Sequence, residues 1–242
     1  MLKGKINSFQ SLGTLDGKGV RFVVFSQGCP LRCACCHNPE TWELTGGTEY
    51  TAEEILQRVK NYRDYFGEKG GITVSGGEPL LQADFFAELF RICKENGINT
   101  CLDTSGSILN ESTERLLKVT DYCLLDIKYT LDTLYKKYVG CSLSSPLLFL
   151  DRLNELNIPT RLRQVIIKGI NDNNSNISRL KDIAQKFKCV EETELLPFRK
   201  ICEEKYNNLG IAFKLKSYPE TDEETIRQLN NLFEEKIKKT LD

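Results

Sequence analysis

The chain has one histidine among 242 residues, no second C-x2-C pair, no long apolar run and almost no net charge. Each absence narrows the function. Without a run of ~18 apolar residues, nothing reads as a membrane span. A net charge of −1 and a pI near 6.1 give no electrostatic reason to expect nucleic acid or a membrane as partner. The opening Met1-Leu2-Lys3-Gly4-Lys5 runs into polar residues and lacks the apolar centre of a secretory signal. No internal repeat, low-complexity stretch or linker divides the sequence. One domain over 1–242 is therefore expected, with an N-terminal extension over about 1–19 and a helical tail over about 220–242. At this length a core forms without covalent staples, so no disulfide framework is expected. The expected setting is the cytoplasm, where thiols stay reduced and clustered cysteines bind metal or do redox work.

Cysteine, by contrast, is plentiful. Four of ten fall in Cys29-Pro30-Leu31-Arg32-Cys33-Ala34-Cys35-Cys36, with His37 directly after. Cys29, Cys33 and Cys36 spell C-x3-C-x2-C. A cubane iron–sulfur cluster has four irons and usually takes four cysteines, so three leave one iron open to an external molecule. An open coordination position likewise marks catalytic zinc. Other readings compete. The spacing i, i+4, i+7 is also one helix face, with Pro30 at its first position and small apolar cysteines lining a core. A zinc-binding interaction module needs a fourth ligand, for which His37 beside Cys36 is poorly spaced. The cysteines at 93, 101, 123, 141, 189 and 202 mostly lie in apolar runs and read as buried spectators.

Strand-like and helix-like patterns alternate along the chain. Strands are expected over 20–26, 72–75, 98–104, 122–128, 160–167 and 192–197. Helices are expected over 51–66, 83–96, 112–119, 147–156, 175–187 and 222–241. The first opens on a capping box, Thr51 with Glu54, and the second closes at Gly97. Six strands with helical connections predict a parallel α/β sheet, either an incomplete (β/α)6 TIM-like barrel or a doubly wound sheet. The loop 171–174 and the lysine-rich stretch 198–218 read as mobile. Polar clusters recur where the strands end: the cysteines, Gly76-Gly77-Glu78, Asp103-Thr104, Asp126-Ile127-Lys128, and an arginine pair upstream of Gly169. In parallel barrels those ends meet on one face, where active sites form.

With three cysteines and Gly76-Gly77-Glu78 in that order, the chain resembles radical S-adenosylmethionine enzymes. It is most similar to the pyruvate formate-lyase activating enzymes. Gly13-Thr14-Leu15-Asp16-Gly17-Lys18-Gly19, Gln27-Gly28-Cys29, Cys36-His37-Asn38, Thr41-Trp42, Cys101-Leu102-Asp103-Thr104 and Leu195-Leu196-Pro197 carry the resemblance. It implies that Cys29, Cys33 and Cys36 hold one 4Fe–4S cluster whose open iron is chelated by the methionine end of S-adenosylmethionine. Asp103, Thr104 and Asp126 would supply oxygens for a sodium or potassium ion. Gly76 and Gly77 would let backbone approach the methionyl ammonium, while Glu78 orders their loop. Lys128 and Arg163 would pair the carboxylate, Lys128 reading otherwise as a solvated strand end. His37 joins the expected cofactor-binding set.

The reaction so implied is reductive cleavage to methionine and a 5′-deoxyadenosyl radical, which takes hydrogen from a glycine on a partner glycyl-radical enzyme. Asp16, Gly17 and Gly19 resemble the contact to that partner's glycine loop, or a plain Asp-Gly turn. Reduced flavodoxin or a similar donor supplies the electron, and the protein is expected to be a monomer. Two departures stand out. Cys35 occupies a position usually aromatic and near the adenine. Phe198-Arg199 replaces a tyrosine–histidine pair, with Arg199 able to stack on a purine. About 40 residues separate Cys36 from Gly76, too few for further clusters. The alternative enzyme reading is a radical enzyme acting on a small molecule or nucleotide.

Overall fold

The computed structural model describes residues 2–238. Its centre is one eight-stranded sheet ordered β3-β1-β2-β4-β5-β6-β7-β8. The strands are β1 Lys3–Gly13, β2 Arg21–Ser26, β3 Thr48–Thr51, β4 Gly71–Gly76, β5 Asn99–Thr104, β6 Tyr122–Asp126, β7 Thr160–Ile166 and β8 Val190–Pro197. β2, β4, β5, β6, β7 and β8 are parallel neighbours in chain order. A doubly wound sheet reverses its order at a switch point, and these six parallel strands never reverse. Right-handed crossovers then place the connecting helices on one face and curl the strands one way. The result is an unclosed six-unit parallel barrel, edged by β3 and β8.

β1 and β3 were not expected from the sequence. β1 buries only Gly4, Ile6 and Gly13 and lies antiparallel to both β2 and β3, so no apolar alternation announces it. The helices are α1 Ala52–Lys60, α2 Ala83–Glu95, α3 Glu111–Leu117, α4 Asp132–Tyr138, α5 Ser144–Glu155, α6 Asn174–Lys186, α7 Glu203–Leu209 and α8 Glu223–Lys238. The Thr51–Glu54 capping box is formed, but α1 stops well short of residue 66, which belongs to a separate turn. α4 and α7 are additions. The end of the expected final helix, at 239–241, and the last residues of the tail lie outside the described residues.

The two stretches read as mobile are tied down. Within 198–218, Phe198, Cys202, Tyr206, Phe213 and Leu215 are buried. Asn171 is buried too, accepting from the Ile167 amide at 2.7 Å and donating to the Val165 carbonyl at 2.9 Å. Among described helices, none is long and apolar enough to cross a membrane.

Strand alternation separates two surfaces. Ile72, Val74, Leu102, Cys123, Leu125 and Leu162 pack in the main helix-side core. Cys101, Tyr122 and Leu124 form a separate small cluster on the opposite, inner side. On that inner side, further along the strands, come Ser75, Asp103, Asp126 and Arg163, all lining one cavity. Of the six spectator cysteines, Cys93, Cys101, Cys123, Cys189 and Cys202 are buried and Cys141 is half-buried.

Candidate active site

β2 delivers the chain into the cysteine loop, which is irregular rather than helical. That removes the helix-face reading. The loop's backbone is held from several sides. The Arg32 amide donates to the Val139 carbonyl at 3.2 Å and the Ala34 amide to Tyr138 at 2.7 Å. The Tyr206 hydroxyl donates to the Cys36 carbonyl at 3.2 Å. Cys29, Cys33, Cys35 and Cys36 all line a cavity of about 440 Å³, a volume ordinary for a small-molecule site. Burial pushes the Cys29 thiol up to about 12, Cys35 up to about 11 and Cys33 well above its ordinary value.

Gly76 and Gly77 close the next side. The Gly77 amide donates to the Ser26 carbonyl at 3.0 Å and the Glu78 amide to Gly28 at 2.8 Å. A Cβ on Gly77 would lie 2.2 Å from the Gly28 oxygen, and one on Gly76, at φ +103, 2.4 Å from the Ser26 nitrogen. Both glycines thus serve the contact between the two loops, besides lining the cavity. Glu78 is 1% exposed. Its carboxylate accepts from Thr104 Oγ1 at 2.6 Å, from the Leu80 amide at 3.2 Å, and from the Ser105 amide and hydroxyl. Burial raises Glu78 while those donors lower it, for a net upward shift. It organises the loops through these neutral donors.

The charged floor comes from β5, β6 and β7. Arg163 donates through Nε to Asp126 Oδ1 at 2.9 Å and through Nη2 to Asp103. Lys128 Nζ sits 2.5 Å from Asp126 Oδ2, and Ser75 Oγ donates to Asp103 Oδ2 at 2.7 Å. Two anions and two cations balance. Burial would raise Asp126, but Arg163 and Lys128 hold it below the usual range. Burial pushes Asp103 up to about 6, against relief from Arg163 and further repulsion from Asp126. A neutral group with both signs exposed suits a zwitterion such as the methionine end of a ligand. Fixed dipoles and charges of this kind act strongly in a low-dielectric site.

A stability prediction follows from Asp103. Its folded value of about 6 exceeds the ordinary 3.8, so the folded state binds the proton more tightly. Stability from this group is present at pH 4 and is lost as pH rises through 6. Asp103→Asn removes that slope. Its stability relative to the parent should improve by about 2–3 kcal/mol between pH 4 and pH 7. Urea unfolding at the two pH values measures the difference, and a constant offset contradicts it.

Residues 23–179 match the family model described as Radical SAM superfamily. The chain is 40% identical over 236 residues to the pyruvate formate-lyase-activating enzyme of Clostridium pasteurianum, covering 97% of this chain and 99% of that one. The chain belongs to the pyruvate formate-lyase-activating enzyme family of radical SAM proteins. It is also 38% identical to the pyruvate formate-lyase 1-activating enzyme of Escherichia coli K12, with 96% of each chain covered. The fold matches Streptococcus suis SuiB bound to precursor peptide SuiA, with a TM-score of 0.71 and 19% identity over 90% of this chain and 46% of SuiB.

The donor set fits the family's cluster. Four thiols share one cavity, and three of them, Cys29, Cys33 and Cys36, carry the C-x3-C-x2-C spacing. His37 lines the cavity too, but its Nε2 is 3.2 Å from the Arg199 carbonyl, which fixes a proton there and turns that nitrogen from metal. Burial lowers its pKa.

Not every residue expected from the activating-enzyme resemblance arrives. Arg199 does not line the cavity, because its guanidinium donates to the Thr221 carbonyl at 2.9 Å and lies 4.0 Å from Glu223. Asp103, Thr104 and Asp126 all line the cavity, with Arg163 bridging the two aspartates and the Thr104 hydroxyl held by Glu78. Asp16 lines the cavity, whereas Gly17 packs towards Cys101 and Arg21, and Gly19 against the Gly70 backbone.

Arg21 escaped the sequence reading. It is 1% exposed and donates to Thr73 Oγ1 at 3.0 Å, Asn99 Oδ1 at 2.8 Å and the Lys69 carbonyl at 3.1 Å, closing the barrel floor. A lone arginine inside the apolar run 20–26 was the available signal.

Proposed function

We infer that this chain is a glycyl-radical enzyme activase, with pyruvate formate-lyase as its most fitting partner. The observation that carries the reading is one cavity walled by four cysteines, three of them spaced C-x3-C-x2-C, and floored by a charge-balanced group, in a chain of this family. Bound there, the cluster and S-adenosylmethionine supply reductive cleavage and a 5′-deoxyadenosyl radical that takes a hydrogen from the partner's glycine.

The chain's own residues bind and orient. Cys29, Cys33 and Cys36 hold the cluster through their thiolates, and loading displaces their protons. Lys128 and Arg163 face the ligand's carboxylate, while Gly76 and Gly77 present a backbone edge to its ammonium. A sodium or potassium ion at Asp103, Thr104 and Asp126 belongs to this reading if Arg163 releases one carboxylate as the ligand arrives. Asp16 lines both this cavity and a neighbouring one of about 470 Å³, which also takes in Leu15, Ile201 and Lys205. Leu15 and Ile201 are 79% and 77% exposed. Exposed apolar groups at a cavity mouth suit a protein substrate. Reduced flavodoxin or a similar carrier supplies the electron, and the activase works as a monomer.

Reconstituted anaerobically and reduced, the protein should convert S-adenosylmethionine to 5′-deoxyadenosine and methionine. With pyruvate formate-lyase present it should generate a glycine-centred doublet in the electron paramagnetic resonance spectrum. Intact S-adenosylmethionine beside a loaded, reduced cluster would sink the radical assignment. Cleavage without a doublet on any glycyl-radical partner would redirect the substrate to a small molecule.

A further inference from the structure

The cavity accounts for one side of the cysteine loop. On its other side lies a second apolar cluster, where Leu31, Ala34 and Cys35 pack with Tyr129, Phe198 and Phe213. Cys29 and Cys33 pack against this cluster from the loop, and the half-buried Tyr138 and Tyr218 pack against it too. The loop is also tied to this region by backbone, through Arg32 to Val139 and Ala34 to Tyr138.

The surface around the two tyrosines is basic. Lys137 Nζ lies 4.8 Å from the centre of the Tyr138 ring, and hydrogen bonds to Tyr218 and Lys137 hold the Tyr138 phenol below its ordinary value. Lys200 Nζ donates at 2.7 Å to the carbonyl of Lys216, two residues before Tyr218. Arg32 is exposed between Cys29 and Cys33. Its guanidinium donates to the Cys29 and Leu31 carbonyls at 2.8 Å and lies 5.0 Å from the Trp42 ring. The acids here are engaged: Asp132 with Lys136 at 2.7 Å, Glu203 with Lys216 at 3.2 Å, and Glu220 with the Lys200 amide at 2.6 Å. Among the described residues, the side chains of Arg32, Lys137 and Lys200 have no carboxylate partner. Residues 198–218 carry five lysines and arginines against two glutamates, in a chain whose net charge is −1.

None of Arg32, Lys137, Lys200 and Tyr138 lines either cavity. An electron must reach the cysteines without crossing the cofactor cavity or the mouth beside Leu15 and Ile201. The back of the loop is the side left for it, and electron transfer weakens steeply with distance. A patch of one sign draws a partner of the other and speeds their encounter.

We infer that Arg32, Lys137 and Lys200 form the docking face for an acidic one-electron carrier protein, which reduces the cluster from behind the cysteine loop. The inference rests on the activase reading, since it needs the cluster. The carrier loses one electron and the cluster gains it, with no bond made or broken and no proton moved. Carrier and glycine-bearing partner then use different faces and bind together.

The test titrates flavodoxin into wild-type holoenzyme and into the double variant Lys137→Glu with Lys200→Glu, by calorimetry at low ionic strength. The double reversal should weaken binding on the order of tenfold, and the difference should shrink in high salt. A control pair, Lys118→Glu with Lys188→Glu, alters exposed lysines just before β6 and β8, at the other end of the barrel, and should bind like wild type. Cluster reduction by reduced flavodoxin should slow in step with the loss of binding. Photochemical reduction, and the S-adenosylmethionine cleavage that follows it, should match wild type. Equal binding by wild type and the double variant overturns the proposal, as does equal weakening in the control pair or no measurable binding by wild type. If the photoreduced double variant cleaves S-adenosylmethionine but forms no glycyl radical, the face belongs to the glycine-bearing partner and the proposal is wrong. A photoreduced wild-type protein that leaves S-adenosylmethionine intact counts against the activase reading itself.

Discussion

Cys29→Ala, Cys33→Ala and Cys36→Ala should each lose the intact cluster, and S-adenosylmethionine cleavage should fall to background. Cys35→Ala should keep iron, sulfide and colour. All four thiols line the cavity, so proximity alone does not choose among them. Spacing and chain direction do. Adjacent residues such as Cys35 and Cys36 send their side chains apart, and Cys36 already accepts a backbone N–H from Asn38 in the manner of a cluster sulfur. Cys35 is 8% exposed and packs with Leu31, Ala34 and Tyr129. That placement suits a small group beside the adenine in place of the usual aromatic. Its truncation should change ligand affinity only modestly. Iron and sulfide analysis with the visible spectrum decides the matter. Cluster loss in Cys35→Ala with retention in Cys36→Ala would reverse the assignment.

Arg163→Ala should be the most damaging change outside the cysteines, costing about 3–5 kcal/mol of stability. The guanidinium bridges Asp103 and Asp126, each side chain being less than a fifth exposed. Its removal leaves Lys128 to face two carboxylates, of which Asp103 is already pushed up by burial. Affinity for S-adenosylmethionine should fall with stability, because the floor turns net negative where the ligand's carboxylate must sit. Adding Asp103→Asn to Arg163→Ala should recover part of both losses. Denaturant unfolding and equilibrium binding on the two variants test the coupling. Equal losses with and without the second substitution would mean that Arg163 acts through packing alone.

Most of the barrel could be read before folding because buried parallel strands are apolar runs and each ended in a distinct polar group. Thr51 and Glu54 announced α1 by the same local chemistry that caps it. β1 could not be read, since an antiparallel strand with three buried residues carries no alternation. α4 and α7 are seven-residue helices, too short for a periodic signal to rise above the surrounding polar residues. In the site, the cysteines and the strand-end charges lie where the reading put them. Arg199 does not, because the Phe198 amide bonds the Ile166 carbonyl and the Thr221 amide bonds the Phe198 carbonyl, which binds this segment to 221 rather than to the cavity. Asp103, Thr104 and Asp126 line one cavity, as their strand-end positions suggested, but the partners of each side chain could not be read. Only the fold shows that the Thr104 hydroxyl is held by Glu78 while Asp103 meets Arg163.

The cysteine loop is braced by residues from the far end of the chain: Tyr206 on the Cys36 carbonyl, 170 positions away, and Lys205 on Asn38 and Glu40. On the ribosome, this separation becomes a delay. At about 5–20 residues per second, roughly 10–30 s pass between synthesis of the thiols and synthesis of their brace. Through that interval the loop has its ligands but not its frame. The frame of the loop is therefore complete only once the carboxyl-terminal third has been made, and the order of synthesis puts the thiols first and their brace last.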